Sequence, residues 1–219
     1  MLHVYALVRH PASVPEVLGI DDGPLRALLA RDEVDAVVSD KNAGTAASET
    51  AILAHARVVE AVAAANGSVL PARFAGELSA DADVARILVE RRDSILAALD
   101  RVDGCVELGV RVLPAVDDER PQAASGSEYM RGRLDEVARA GQVADTLQRS
   151  LATVARESTS NVLARRDVLL TAAYLVPRGD LDGFYATLQD VERRLSGVTV
   201  VPTGPWPPYS FALLEADDT

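Results

Sequence analysis

The three histidines, at positions 3, 10 and 55, are the residues of this sequence best suited to acid–base chemistry. His55 lies in a helical pattern with Arg57 and Glu60 nearby, a grouping that would suit a general base. Positions 55 and 57 point to different faces of a helix, however, because residues two apart are not neighbours on its surface. The sequence therefore favours a core or interface position for His55, with its ring nitrogens hydrogen-bonded.

Other catalytic and metal-binding patterns are sparse. Asp81 and Asp83 could ligate a hard cation, but without further oxygen donors they are better explained as acidic residues at a helix N-terminus. Cys105 is the single cysteine, which excludes an internal disulfide and a cysteine-based zinc site. The sequence has no glycine-rich phosphate loop before a helix, no HExxH and no G-x-S-x-G. It predicts no catalytic, metal or cofactor site.

The C-terminal segment concentrates proline and aromatic residues. Proline fixes φ and lacks a backbone donor, so this segment is not expected to form an internal sheet strand. Only 4% of the chain is aromatic, yet three aromatic residues fall within six positions: Trp206, Tyr209 and Phe211. Two interpretations follow. The segment is either a rigid clasp that docks onto the fold, which the sequence favours, or a preorganised apolar contact for a partner.

Composition narrows the class of protein. The chain has 219 residues, 48% of them hydrophobic, and a net charge of −11. An acidic surface repels phosphate backbones and anionic lipid, so nucleic acid and charge-driven membrane binding are not expected. Solubility alone explains this acidity, and it is the explanation that we favour. The alternative is that the negative charge prevents co-aggregation of this protein with a client rich in apolar surface. No signal peptide or membrane span is evident, and we expect a soluble, cytoplasmic protein.

The first half of the chain alternates between strand and helix patterns. A strand is predicted at Leu2–Arg9, and two short apolar runs, 25–29 and 34–38, predict a hairpin. Ser48 is a candidate N-cap for a helix that runs to Asn66. The predicted inward residues of this helix are Ile52, His55, Ala56, Val59, Val62 and Ala63. A short strand over 68–74, a helix over 81–100 and a strand over 105–113 follow.

The second half predicts a long helix followed by strand, helix and strand. The helix covers 127–158 after a capping-box pattern at Ser125–Glu128. Its apolar stripe comprises Met130, Leu134, Val137, Ala144, Leu147, Leu151 and Val154. Packing on its own domain is the favoured interpretation of this stripe, and an exposed partner-binding helix is the alternative. A buried strand over 168–176, a helix over 180–196 and a strand over 198–201 complete the order.

These elements predict an α+β protein of two domains. Residues 1–114 would form a ferredoxin-like domain built on a split βαβ repeat. Residues 127–219 would form a C-terminal α/β domain with a long helix and a proline-rich aromatic tail. Residues 115–126, rich in turn-forming residues, would link the two domains.

The tail Thr203-Gly-Pro-Trp-Pro-Pro-Tyr-Ser-Phe211 resembles the C-terminal signature of the gas vesicle protein GvpF/GvpL family. Further stretches are similar to that family in the same order along the chain: Val4–Val8, His55–Glu60, Val69–Phe74, Glu107–Val112, Glu128–Arg131 and Ala173–Val176. The resemblance implies a two-domain α+β protein whose first domain is ferredoxin-like and which has no catalytic activity.

The resemblance also implies a function. Family members are gas vesicle accessory proteins that associate with a small, very hydrophobic shell protein as assembly factors or minor components. Expected partners are this shell protein and, as a further option, other gas vesicle accessory proteins. The candidate partner contacts are Trp206, Tyr209, Phe211, Arg73 and Phe74. The competing hypothesis is a small-molecule sensor or enzyme, which would require a polar pocket containing His55 or Arg73. The oligomeric state is left open.

Overall fold

A computed structural model describes residues 1–31, 33–42, 47–74, 77–114, 125–163 and 168–212. The chain divides into two compact units. Met1–Cys105 and the chain from Trp206 onward form unit 1, and Val106–Pro205 form unit 2. The sequence placed the domain boundary at residue 114 and the aromatic tail in the second domain, whereas the first piece of unit 1 ends at Cys105 and the tail lies in unit 1. Most of the predicted linker 115–126 lies outside the described residues.

A five-stranded sheet forms the centre of unit 1. Its strands are β1 (Leu2–Arg9), β2 (Arg26–Arg31), β3 (Val34–Asp40), β4 (Val69–Pro71) and β5 (Glu77–Leu78). The order is β2-β3-β1-β4, and β5 pairs with β1. The predicted hairpin is confirmed, since β2 and β3 pair antiparallel. Nearly every residue of β1 and β3 is buried, as expected for strands covered on both faces.

Three helices pack on this sheet: α1 (Glu49–Ala65), α2 (Asp81–Glu90) and α3 (Arg92–Val102). Ser48 begins α1 as predicted, because its side chain accepts a hydrogen bond from Ala51 N–H at 3.2 Å. Its buried residues are Ala51, His55, Val58, Val59, Val62 and Ala63. The expectation that Ile52 points inward was wrong: it is 48% exposed. The single helix predicted over 81–100 is interrupted at Arg91, whose φ of −107° and ψ of 15° break the helical path.

The ferredoxin-like prediction for residues 1–114 was wrong. Unit 1 has three strands before its first helix and two consecutive helices after its last strand, whereas a split βαβ repeat needs the order βαββαβ. The strand at Cys105–Pro114, which would have completed that repeat, opens unit 2 instead.

Unit 2 consists of four strands and two helices. Its elements are β6 (Cys105–Pro114), α4 (Gly126–Leu151), β7 (Glu157–Val162), β8 (Leu170–Pro177), α5 (Leu181–Glu192) and β9 (Val198–Trp206). The sheet order is β7-β8-β6-β9, with β7 and β8 antiparallel. In chain order this is βαββαβ with its strands arranged 2-3-1-4, which is the ferredoxin-like topology.

The two helices of unit 2 pack against one apolar cluster. Leu147 and Leu151 of α4 and Phe184 of α5 are fully buried in it. Tyr174 of β8 lies with its ring centroid 5.3 Å from that of Phe184, and burial raises the pKa of Tyr174 to about 12. At Gly109 a Cβ atom would lie 2.5 Å from Thr203 Oγ1, so a side chain at this position of β6 would displace the Thr203 hydroxyl of β9.

Candidate functional site

The predicted partner contacts begin where β9 ends. β9 lies at the edge of its sheet, which agrees with the prediction that its prolines exclude an internal strand. Pro202 and Pro205 fall within it, and Trp206 is its last residue. The Trp206 side chain is 46% exposed. Trp206 therefore presents a half-buried indole at the surface.

The residues after Trp206 are fastened to unit 1. Pro207 and Pro208 are buried, and a short 3₁₀ helix spans Tyr209–Phe211. Phe211 is only 5% exposed, and Arg101 Nη2 donates a hydrogen bond to its carbonyl oxygen at 2.5 Å. Burial, together with the negative charge of Glu60, raises the pKa of Tyr209 to about 12. These contacts are those of a clasp, and they leave no free ring surface on Phe211 for a partner.

Arg73 and Phe74 differ in their surroundings although they are adjacent. Arg73 is exposed, whereas Phe74 packs against the same apolar cluster as Tyr209. The structure thus brings Phe74 and Tyr209 to one cluster of unit 1. Of the five predicted contacts, Trp206 and Arg73 are the ones exposed to solvent.

Phe74 is also part of a buried group of rings that the sequence did not reveal. His3 of β1 and His55 of α1 are 1% and 4% exposed, and His3 Nε2 lies 2.8 Å from His55 Nδ1. The ring of Tyr5 stacks on that of His55 with a centroid separation of 5.4 Å. Phe74 contacts both histidines edge-on or tilted, at 5.5 and 5.8 Å. We call His3, Tyr5, His55 and Phe74 the ring cluster.

The hydrogen bonds of the ring cluster assign the proton on His55. Its Nε2 lies 3.0 Å from the carbonyl oxygen of Ala72, and a carbonyl can only accept. Nε2 therefore carries the proton, and Nδ1 of the neutral ring accepts from His3 Nε2–H. Burial lowers the pKa of His55, which favours this neutral form. Both nitrogens of His55 are thus engaged in the core, as the sequence favoured.

A second buried polar contact adjoins the ring cluster. The hydroxyl of Tyr5 accepts a hydrogen bond from Ile20 N–H at 2.7 Å and lies 2.9 Å from Ser39 Oγ. A Cβ atom at Gly19 would lie 2.3 Å from this hydroxyl. Glycine at this position therefore allows the 19–23 turn to close over the sheet.

The acidic pair at the start of α2 has a structural explanation. Asp81 forms a two-point ion pair with Arg26, at 2.8 and 2.9 Å, which lowers the pKa of the carboxyl group. Asp83 accepts a hydrogen bond from Ala80 N–H at 3.2 Å. Within the described ranges, no group of three or more His, Cys, Asp or Glu residues could hold a metal ion. Over the same ranges, no helix has the length and apolar character needed to cross a membrane.

The sequence model of the family described as gas vesicle synthesis protein GvpL/GvpF matches residues 1–213. The chain belongs to the GvpL/GvpF family. Gas vesicle protein L of Streptomyces sp. (strain CB03234) is 34% identical over 221 residues, covering 90% of this chain and 77% of the relative. Gas vesicle protein F of the same strain is 30% identical over 240 residues, covering 95% of this chain and 98% of the relative.

Solved structures of GvpF share the fold of this GvpL/GvpF chain. The crystal structure of GvpF from Anabaena sp. PCC7120 has a TM-score of 0.80 at 18% identity and covers 97% of this chain and 98% of its own. GvpF from Microcystis aeruginosa has a TM-score of 0.78 at the same identity. The mixed α/β architecture predicted from the sequence is thereby confirmed, and the family membership gives the chain an accessory role in gas vesicles.

Proposed function

We propose that this protein binds the hydrophobic shell subunit of gas vesicles and keeps it competent for assembly. The observation that carries the proposal is the match to the GvpL/GvpF family along nearly the whole chain. The chemistry of the surface supports it, because a chain of net charge −11 exposes several large apolar side chains. A chaperone-like factor needs both properties, an apolar contact for its client and a charge that resists co-aggregation.

The need for such a factor follows from the client. A soluble monomer of a shell protein exposes a large apolar patch and aggregates before it reaches a growing shell. A reversible binder that covers this patch lowers the concentration of free, aggregation-prone subunit. The client would meet this protein in the cytoplasm, where the vesicle grows.

Trp206 and Arg73 are proposed as contacts for a gas vesicle partner. Trp206 is the single tryptophan and keeps about half of its indole at the surface, where it can bury further area at small entropic cost. Arg73 adds an exposed cation. Tyr209 and Phe74 pack against one apolar cluster of unit 1, and the hydrogen bond from Arg101 to the carbonyl oxygen of Phe211 secures the segment that follows Trp206.

Light scattering of the purified shell subunit, diluted from denaturant with and without this protein, tests the proposal. Suppressed scattering near equimolar ratio is the expected result, and unchanged scattering together with no binding in a pull-down would refute the proposal.

Washing intact vesicles distinguishes the two accessory roles. A chaperone-like factor is removed by washing, whereas a minor structural component remains with the shell.

A further inference from the structure

The long helix α4 has two apolar faces, and unit 2 covers only one of them. The covered face carries Ala140, Val143, Leu147 and Leu151, all buried. Met130, Leu134 and Val137 are 59%, 66% and 47% exposed. At about 100° per residue these three lie within about 60° of one another and are turned by about 100° from the covered face. We call Met130, Leu134 and Val137 the outer face of α4.

The structure thus divides the apolar stripe predicted from the sequence. Its C-terminal part packs in the core of unit 2, which is the interpretation that the sequence favoured. Its N-terminal part is exposed, as the alternative of a partner-binding helix requires. Spacings of four and three residues are those with which one helix packs along another. Gly141, one turn beyond Val137, has open space where a Cβ atom would be placed, so a second helix can approach closely there.

Two arginines flank the outer face of α4. Arg131 and Arg133 border it on its two sides, within a chain whose net charge is −11. Arg133 donates to Glu136 of the same helix at 2.8 Å, whereas Arg131 is exposed. A partner helix with a carboxylate beside its apolar face would therefore place that carboxylate against Arg131.

We propose that the outer face of α4 is the docking site for an amphipathic helix of the shell subunit, an inference that rests on the proposed function. The size of the face decides against a second copy of this chain. From Met130 to Val137 the helix rises only about 10 Å. Two such faces bury a few hundred Å² together, well below the roughly 1,200–2,000 Å² of a stable dimer. A small apolar contact of this kind suits a client that must be released into the growing shell.

Photo-cross-linking identifies the occupant directly. The full chain carries a benzophenone amino acid at position 134 and is irradiated with the purified shell subunit. A cross-link to the shell subunit is the expected result. Three outcomes would overturn the inference, provided that the wild-type protein still binds the subunit. They are a cross-link only to a second copy of this chain, a cross-link only within the chain, and no cross-link at all. The control places the same group at position 53, because Leu53 is 61% exposed on α1 of unit 1; no cross-link is expected there.

Affinity measurements separate this inference from the proposed function. Met130→Gln and Leu134→Gln should each weaken binding of the shell subunit about tenfold or more, since each removes a buried apolar contact. Arg131→Glu should also weaken binding of the shell subunit, and it should remove part of the salt dependence of that binding. The control Leu53→Gln should bind like the wild type. If the wild type binds and all α4 variants bind equally well, docking lies elsewhere; if the wild type fails to bind, the proposed function itself is lost.

Discussion

Replacement of His55 by glutamine should make the stability of unit 1 less sensitive to acid. Glutamine can donate to Ala72 O and accept from His3, as the neutral imidazole does, but it does not titrate. In the wild type, burial lowers the pKa of His55, so the folded state resists protonation while the unfolded state accepts a proton below about pH 6.5. Stability is therefore lost as the pH falls through that range.

The size of this effect has an upper limit. If the folded state binds no proton at His55, the unfolded state gains about 2 kcal/mol between pH 7 and pH 5 from an unfolded pKa of about 6.5. The wild type should lose up to this much more stability than His55→Gln over that interval. The variant is expected to be less stable at pH 7, because a flexible amide replaces a rigid ring that stacks on Tyr5.

Urea denaturation at both pH values measures the difference. Circular dichroism follows the unfolding of the chain, and the fluorescence of Trp206, the single tryptophan, reports the segment where β9 ends and unit 1 resumes. The matched control is His10→Gln, which changes a histidine whose side chain is 36% exposed and leaves the ring cluster intact. This control should retain the contribution of His55. If His55→Gln and the wild type lose equal stability from pH 7 to pH 5, the buried neutral assignment of His55 is refuted.

Two further substitutions test the packing of unit 1. Phe211→Ala removes a ring that is 5% exposed and should cost about 3–5 kcal/mol, measured by urea denaturation with Trp206 fluorescence; a loss below about 1 kcal/mol would contradict the clasp. Gly19→Ala should lower stability by about 1–3 kcal/mol, because the new Cβ would lie 2.3 Å from the Tyr5 hydroxyl. Gly67→Ala is its control in thermal melts, since that Cβ meets no atom closer than 3.7 Å; equal melting temperatures would refute the close approach at Gly19.

The sequence predicted most helices and strands, but it placed the ferredoxin-like repeat in the wrong half. The reason is strand β7, Glu-Ser-Thr-Ser-Asn-Val, most of whose side chains are exposed. A polar edge strand carries no alternation of apolar residues, so hydrophobic patterning could not detect it. Without β7, the predicted second half lacked the two consecutive strands, β7 and β8, that lie between the helices of a βαββαβ unit. The strand β6 was therefore assigned to the first half.

The candidate site was predictable where local chemistry decides the structure. Prolines restrict the backbone on their own, so the exclusion of an internal strand over the proline-rich segment followed from the sequence, whereas the extension of β9 to Trp206 did not. The ring cluster did not, because His3 and His55 are 52 residues apart and meet only through the packing of α1 on β1. Their shared apolar surroundings were the available signal: His3 alternates with Tyr5 on one face of β1, and His55 lies on the inward stripe of α1.

Unit 1 is built from two pieces of chain, and this fixes the order in which its parts become available during synthesis. Phe211 and the prolines before it leave the ribosome only after all of residues 106–205, which at about 5–20 residues per second means a delay of roughly 5–20 s. Throughout that interval the first 105 residues lack their final packing piece, while the chain of unit 2 becomes complete. The first 105 residues therefore lack Phe211 and its neighbouring prolines until β9, the last strand of unit 2, has also been synthesised.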